Sequence, residues 1–271
     1  MKVSFIGGGN MGEAILAALI QRKLCQAGDI TVHDASLQRM EFLTKTYGVS
    51  VSASNVEATA GVDVVVLAVK PQNLGEVMAE LKGKLNPGQL MLSIVAGKNM
   101  ATLAEGLEHR SIVRAMPNTP AQIGKGITVW TAMPLKVSAA QREKAVAILS
   151  VMGEQVYVGY ETYLDMATAV SGSGPAYVFI FMEHLTAAAV KIGLPSELAR
   201  LLVMQTVLGS AGYAALSQHE LSELRRMVTS PGGTTAAALK VFEEGRLDEL
   251  TARAVEAAFC RAKELGSQGV K

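Results

Sequence analysis

The sequence has few cysteines, almost no net charge and no long apolar run that is free of polar residues, and each absence excludes a class of protein. Its two cysteines, Cys25 and Cys260, are far apart and lack ligand spacing, which excludes a disulfide framework and fits a reducing, cytoplasmic setting. Four scattered histidines predict no metal site. A formal net charge of +1 gives no reason to expect a nucleic acid or an anionic membrane as partner.

The apolar segments also argue against targeting or membrane-spanning functions. The longest charge-free segment, Leu201 to Gln218, contains polar residues and glycines, so we predict a buried helix rather than a membrane span. The first apolar segment is interrupted by glycines and followed by Glu13, which does not fit a signal peptide. With 271 residues, of which 49% are apolar, the chain is long enough for one large or two ordinary domains.

A glycine-rich segment follows the first predicted strand, Lys2–Ile6. Its sequence from Gly7 to Gly12 matches G-x-G-x-x-G, and apolar residues at helical spacing follow it. In such a segment Gly7 permits a tight turn, Gly9 lets a pyrophosphate approach the backbone, and Gly12 lets the helix pack closely on the strand. The alternative is a glycine-rich structural turn.

The second predicted strand ends in an acid at the position where dinucleotide-binding proteins hold the adenosine ribose. Together the glycine segment and this acid predict a dinucleotide site. Its candidate residues are Gly7, Gly9, Asn10, Met11, Gly12 and Asp34.

Strand-like segments continue to alternate with helical ones through the first half of the chain, which predicts an N-terminal doubly wound Rossmann domain over residues 1–159. The further predicted strands are Asp63–Val69, Gln89–Val95, Ser111–Arg114, Gly126–Trp130 and Val156–Val158. A capping box at Ser138–Gln141 predicts a helix that ends near Met152.

Three loops of this half follow parallel strands, and ligands of such sheets lie beyond the carboxyl ends of strands. The loops contain Lys70-Pro71, Ala96-Gly97 and Met116–Pro120. Each is either a cofactor contact or a simple connection to the next helix. For Ala96-Gly97 we favour the connection.

The second half, residues 160–271, has helical periodicity and no strand pattern. Pro175 fits the first turn of a helix ending near Ile192, and Tyr177–Met182 places six apolar residues in a row on it. A helix that is apolar on every side must be buried on every side, so we expect a partner chain to cover part of it. The final helix is predicted over Glu256–Leu265.

A second glycine-rich helix start lies in this half, within Val228–Leu239. Pro231, Gly232 and Gly233 favour a turn after Ser230, and Thr234 or Thr235 is expected to cap the following helix. A loop leading into a helix start leaves backbone N–H groups free to bind an anion. The alternative is an ordinary turn between helices.

The chemistry of this segment favours an imino acid over a keto acid as substrate. A nicotinamide cofactor implies hydride transfer, and a carbonyl normally needs a proton donor such as His or Lys beside it. The Val228–Leu239 segment offers hydroxyls and N–H groups instead, which suffice for an imine that is already protonated. His184 and Lys191 could form an acid pair, although core and surface roles are favoured for them.

The chain resembles the pyrroline-5-carboxylate reductase family along essentially its whole length. The motifs that carry the resemblance are the glycine segment, Ala68–Pro71, Met116–Pro120, Val170–Tyr177 and Thr229–Thr235. The resemblance implies an α/β fold, with a Rossmann domain followed by an all-α dimerisation domain. It also implies reduction of 1-pyrroline-5-carboxylate to L-proline with NADPH or NADH, and homodimers that assemble into larger rings.

The resemblance also assigns roles to individual residues. Ser230, Gly232, Gly233, Thr234 and Thr235 would bind the substrate, with Thr235 reaching the ring nitrogen as the catalytic residue. The cofactor would be lined by Asn55, Ala68, Val69, Lys70, Pro71 and Asn118.

Two positions depart from the family pattern. Members often carry Glu-His-Pro shortly before the substrate loop, whereas this chain has Gln218-His219-Glu220. Many also have a neutral or basic residue in place of Asp34, whose carboxylate would repel the 2′-phosphate of NADPH, while Ser36 and Arg39 could attract it. Cofactor preference therefore stays open. Two rival functions also stay open: a hydroxy- or keto-acid dehydrogenase of similar layout, and a non-catalytic dinucleotide-binding oligomer.

Overall fold

The apolar segments of the first half form one sheet. In the computed structural model, which describes residues 1–267, the sheet has eight strands in the order β3-β2-β1-β4-β5-β6-β7-β8. They are β1 (Val3–Ile6), β2 (Ile30–His33), β3 (Ser50–Val51), β4 (Val64–Leu67), β5 (Leu90–Ser93), β6 (Ile112–Met116), β7 (Gly126–Ala132) and β8 (Gly153–Tyr157). Neighbouring strands are parallel except for the antiparallel pair β6 and β7.

Helices cover both faces of this sheet. Successive residues of a strand point to opposite faces, and the central strands are largely apolar on both, so each face needs a covering layer. Val64 and Val66 belong to one buried cluster together with residues of the first helix, whereas Val65 and Leu67 belong to a second cluster with residues of the fourth and fifth helices. All four residues of β4 are fully buried. The predicted doubly wound α/β fold is therefore confirmed.

The described chain has twelve α-helices, and the three longest lie in its second half. They are α1 (Asn10–Gln21), α2 (Leu37–Tyr47), α3 (Asn55–Ala58), α4 (Leu74–Leu81), α5 (Met100–Leu107), α6 (Ala139–Ser150), α7 (Thr162–Ala167), α8 (Gly174–Lys191), α9 (Ser196–Leu216), α10 (Leu221–Met227), α11 (Thr234–Glu244) and α12 (Leu247–Ser267). The capping box predicted for α6 is present, since Ser138 accepts the N–H of Gln141 and Gln141 accepts that of Ser138.

The chain divides into two compact units. One comprises residues 1–173 together with the end of α12 from Ala257 onward, and the other comprises Gly174–Glu256. The second unit contains only helices among the described residues, as predicted. The predicted boundary between residues 159 and 160 stays a prediction, and residues 268–271 of the predicted helical domain lie outside the described part of the chain.

The apolar helix of the second unit is exposed in the single chain, as it would be if a partner chain covers it. No residue of α8 is buried in the single chain, and Phe179 is 62% exposed. The final helix begins at Leu247, not at the predicted Glu256, because the segment between them is continuous helix. None of the helices within residues 1–267 combines the length and apolar content that a membrane crossing requires.

Candidate active site

The glycine segment forms a tight connection between β1 and α1 at the point where the strand order reverses. Gly7 has a positive φ of 98° and donates its N–H to the carbonyl of His33 at 2.8 Å. A Cβ at Gly7 would lie 2.8 Å from backbone atoms of Ala68, and one at Gly12 would lie 2.5 Å from the Gly7 carbonyl oxygen. Both positions therefore require the absence of a side chain.

Gly9 differs from its neighbours because its open side faces no protein atom. A Cβ placed there would have nothing within 4 Å, and Gly9 is the N-cap of α1 without a side-chain cap. The first N–H groups of α1 are thus left without a capping side chain, next to open space. This donor set fits a pyrophosphate, which helix N-termini bind through backbone N–H groups and the helix dipole.

A groove of about 490 Å³ lies at the ends of β1, β2 and β4. It brings together seven of the predicted cofactor residues: Gly7, Gly9, Asp34, Asn55, Ala68, Val69 and Lys70. The crevice beyond the carboxyl ends of the strands at the reversal of strand order is where doubly wound sheets bind their ligands.

The other predicted cofactor residues do not line this groove. Asn10 lines a separate cavity on the other side of α1, Met11 packs against the apolar core, and Gly12 is buried in α1. Pro71 begins a 3₁₀ turn, Pro71–Asn73.

Asp34 presents its carboxylate to two backbone N–H groups. Oδ2 accepts from Gly8 at 2.8 Å and Oδ1 accepts from Ser36 at 2.9 Å. The carboxylate is therefore fixed at the end of β2, beside the glycine segment, where it lines the groove. Its remaining acceptor sites are available to hydroxyl groups of a ribose.

The side chains of Asn55 and Asn118 are already engaged within the protein. Asn55 is 5% exposed and donates to Glu80 Oε2 at 2.6 Å. Asn118 donates to the carbonyl of Ser171 at 3.1 Å and accepts the N–H of Ile127 at 2.9 Å. The Asn118 side chain thus ties three segments together, and its backbone carbonyl accepts the N–H of Ala121 at 3.1 Å.

A buried ion cluster that the sequence did not predict lies behind the Met116–Pro120 loop. Arg114 on β6 is 4% exposed and pairs with Glu161 at 2.9 Å and with Asp165 on α7 at 3.0 Å. Glu161 also accepts the N–H of Met100, the first residue of α5, at 2.7 Å. An arginine inside an apolar strand is the sequence signal for such a cluster, since a buried cation requires counter-charges.

The substrate loop leads into α11 as predicted, but its cap differs. Gly232 has a φ of 69°, Gly233 donates to the Ser230 carbonyl at 3.0 Å, and Gly233 is the N-cap without a side-chain cap. The expectation that Thr234 or Thr235 caps the helix is wrong, because both residues already belong to its first turn.

This arrangement leaves the hydroxyls of both threonines unused for capping. The first helical hydrogen bond runs from Ala237 N to Gly233 O at 3.1 Å, so the N–H groups of Thr234, Thr235 and Ala236 precede it. Free N–H groups and hydroxyls therefore lie together at one helix start. The N–H groups can donate hydrogen bonds to a carboxylate, and the hydroxyls can accept one from a charged nitrogen. His184 and Lys191 are exposed on α8, in the same unit.

Family models match both parts of the chain. Residues 161–265 match pyrroline-5-carboxylate reductase dimerisation, and residues 2–97 match NADP oxidoreductase, coenzyme F420-dependent. The chain is 42% identical to the pyrroline-5-carboxylate reductase of Synechocystis sp., over 99% of both chains. It is also 42% identical to that of Pseudomonas aeruginosa, over 98% of this chain and 97% of the relative.

Solved structures give the same relationship. A pyrroline-5-carboxylate reductase from Coxiella burnetii is 40% identical, with a TM-score of 0.89 over 98% of this chain and 99% of the other. The pyrroline carboxylate reductase of Plasmodium falciparum, solved with NADP bound, is 33% identical, with a TM-score of 0.89 over 98% of both chains.

Proposed function

The chain belongs to the pyrroline-5-carboxylate reductase family, and we propose that its two glycine-preceded helix starts hold the two reactants of that reaction. It is an NAD(P)H-dependent oxidoreductase that reduces 1-pyrroline-5-carboxylate to L-proline. The observation that carries the assignment of sites is that α1 and α11 both begin after a glycine N-cap without a side-chain cap.

The first helix start and the groove beside it are assigned to the dinucleotide. The N–H groups at Gly9 and the start of α1 hold its pyrophosphate, and the Asp34 carboxylate accepts hydrogen bonds from the adenosine ribose. Ala68, Val69 and Lys70 line the groove at the end of β4. When bound, NADH or NADPH supplies the hydride.

The second helix start is assigned to the imino acid. The N–H groups of Thr234 and Thr235 bind its carboxylate, together with the loop residues Ser230, Gly232 and Gly233, whose own N–H donates to the Ser230 carbonyl. The Thr235 hydroxyl accepts a hydrogen bond from the protonated ring nitrogen, which holds the C=N carbon in one orientation. No separate proton donor is required, because the protonated nitrogen already activates the carbon for hydride addition.

We further propose that the helical residues 160–271 form a homodimer and that dimers assemble into a larger ring. The support is the apolar surface of α8, where Val178, Phe179, Ile180 and Phe181 are 45–62% exposed in the single chain. Apolar surface on this scale marks an interaction site. A cytoplasmic location is supported by two free cysteines, of which Cys260 is exposed.

A spectrophotometric assay of NADH and NADPH oxidation tests the function. Oxidation with 1-pyrroline-5-carboxylate and formation of proline are expected, whereas pyruvate and other keto acids should give no turnover. Turnover of keto acids alone would instead identify a keto-acid dehydrogenase, and dinucleotide binding without any turnover would identify a non-catalytic protein.

A further inference from the structure

The Arg39 side chain lies near the ribose end of the groove and is already paired with a carboxylate from another helix. Arg39 on α2 forms an ion pair with Glu13 on α1, and its Nε donates to the carbonyl of Gly8. Both side chains are about three-quarters buried, at 24% and 23% exposure. Tyr47 donates its hydroxyl to the other oxygen of Glu13 at 2.7 Å, so the carboxylate is held from two sides.

The ion pair is part of a network that centres on the Gly8 peptide. Its N–H donates to Asp34 and its carbonyl accepts from Arg39, so the acid and the base flank the same glycine. Arg39 also lies with its guanidinium 5.1 Å from the centroid of the Phe42 ring. These contacts fix Arg39 outside the groove: Asp34, Ala35 and Ser36 line the groove, whereas Arg39 does not.

The described lining of the groove carries more negative than positive charge, which disfavours an additional phosphate. This lining includes three carboxylates, Asp34, Glu76 and Glu80, and one cationic side chain, Lys70. Burial alone would raise the pKa of the Glu13 carboxyl, but the hydrogen bonds from Arg39 and Tyr47 outweigh it and hold that pKa below its usual value. Glu13 is therefore ionised near neutral pH and neutralises Arg39.

We propose that Glu13 is a cofactor-specificity residue, which withholds Arg39 from the 2′-phosphate of NADP(H) and thereby favours NAD(H). Enzymes that bind NADP use an arginine near the end of the second strand for this phosphate. Here the arginine is already paired, and moving it to a phosphate would leave the part-buried Glu13 carboxylate without its counter-charge. The inference rests on the proposed dinucleotide site and adds to it a selectivity and a residue outside the groove.

Titration calorimetry of the full chain with NAD⁺ and with NADP⁺ tests the inference without using turnover. Glu13→Gln keeps the shape and the contact to Tyr47 but removes the charge. We expect it to tighten NADP⁺ binding by about five- to tenfold and to leave NAD⁺ binding within about twofold, because only NADP⁺ carries the group that recruits Arg39. Glu41→Gln, at an exposed position of α2, removes the same charge nearby and should change neither affinity.

A second pair of variants assigns the gain to Arg39. Arg39→Met in the otherwise unaltered chain should change the two affinities by the same factor. Added to Glu13→Gln, it should abolish the gain for NADP⁺. Selective loss of NADP⁺ binding in Arg39→Met alone, or an unchanged ratio in Glu13→Gln, would overturn the inference. Reduction of 1-pyrroline-5-carboxylate by the same proteins reports on the proposed function separately.

Discussion

Arg114 and Asp165 join β6 to α7 through an ion pair with an Nη2–Oδ1 distance of 3.0 Å. The arginine is almost completely buried, and Glu161 is its second partner. The cluster lies just before the Met116–Pro120 loop, and Glu161 also accepts the N–H of Met100, so it ties β6, α7 and the start of α5 together.

Removing both counter-charges should destabilise the protein strongly. The double variant Glu161→Gln with Asp165→Asn leaves a buried guanidinium without a carboxylate, which typically costs about 3–5 kcal/mol. The free energy of unfolding in urea measures the loss. Glu105→Gln, at an exposed position of α5, is the matched control and should stay within about 0.5 kcal/mol of the original protein. A double variant as stable as this control would mean that water solvates Arg114.

Replacing Asp34 should shift cofactor use towards NADPH. Asp34→Ser removes a carboxylate from the ribose end of the groove, and about 1 kcal/mol of lost repulsion raises the NADPH-to-NADH ratio of kcat/KM at least several-fold. Asp34→Asn removes the charge but keeps one acceptor oxygen, so one of the two N–H groups, of Gly8 or of Ser36, keeps its hydrogen bond. An unchanged ratio in both variants would show that the carboxylate does not face the 2′ position.

Thr235→Val should lower activity without lowering stability. Valine keeps the shape and removes the hydroxyl, and a lost hydrogen bond to a charged partner costs roughly 1.5–3 kcal/mol, or about ten- to a hundred-fold in kcat/KM. Because Gly233 is the N-cap of α11, no capping bond is lost with the Thr235 hydroxyl.

The melting temperature and the NADH affinity of Thr235→Val serve as internal controls, and both should be unchanged. Thr251→Val makes the same substitution at an exposed position of α12 and should keep full activity. If a folded Thr235→Val protein were fully active, Thr235 would have no part in catalysis.

The oligomer should depend on the apolar surface of α8. Phe179→Asp places a charge where a partner chain is expected to cover the helix, so sedimentation should show a shift from the dimer to the monomer. Leu135→Asp is the control, because Leu135 is 99% exposed in the first unit and has a φ of 58° that aspartate tolerates. A Phe179→Asp protein that still sediments as a dimer would place the interface elsewhere.

Stability should fall as the pH drops below about 6.5, in part because of His109. Burial lowers the pKa of this histidine, which is 5% exposed and lies 2.9 Å from the Gln89 carbonyl oxygen through Nε2. Between the unfolded pKa of about 6.5 and the lower folded value, the unfolded chain binds the extra proton, so stability is lost as the pH falls through this window.

His109→Gln should reduce the pH dependence of the unfolding free energy between pH values of about 7 and 5. His219→Gln removes an exposed histidine and should leave that slope unchanged. Equal slopes in the original protein and in His109→Gln would exclude His109 as a source of the acid sensitivity.

The amino-acid sequence by itself determined the features that depend on neighbouring residues. The dinucleotide fold was predicted from the spacing of Gly7, Gly9 and Gly12 and from the apolar runs of the sheet strands, and the start of α6 from the capping box at Ser138. These predictions succeed because backbone conformation and amphipathic period are local properties. The family resemblance extended this to the reaction, and the relatives at 42% identity confirm it.

Only the tertiary structure decided which distant side chains meet. Arg114 and Asp165 are 51 residues apart, Asn118 and Ser171 are 53 apart, and Glu13 and Arg39 are 26 apart. No periodicity relates such pairs, because their contact follows from the crossover connections of the sheet and the packing of helices upon it. The cap of α11 is local but was also seen only in the structure, because a turn followed by several possible caps does not fix the first helical residue: the extended backbone of Gly233 starts the helix before the threonines that were expected to cap it.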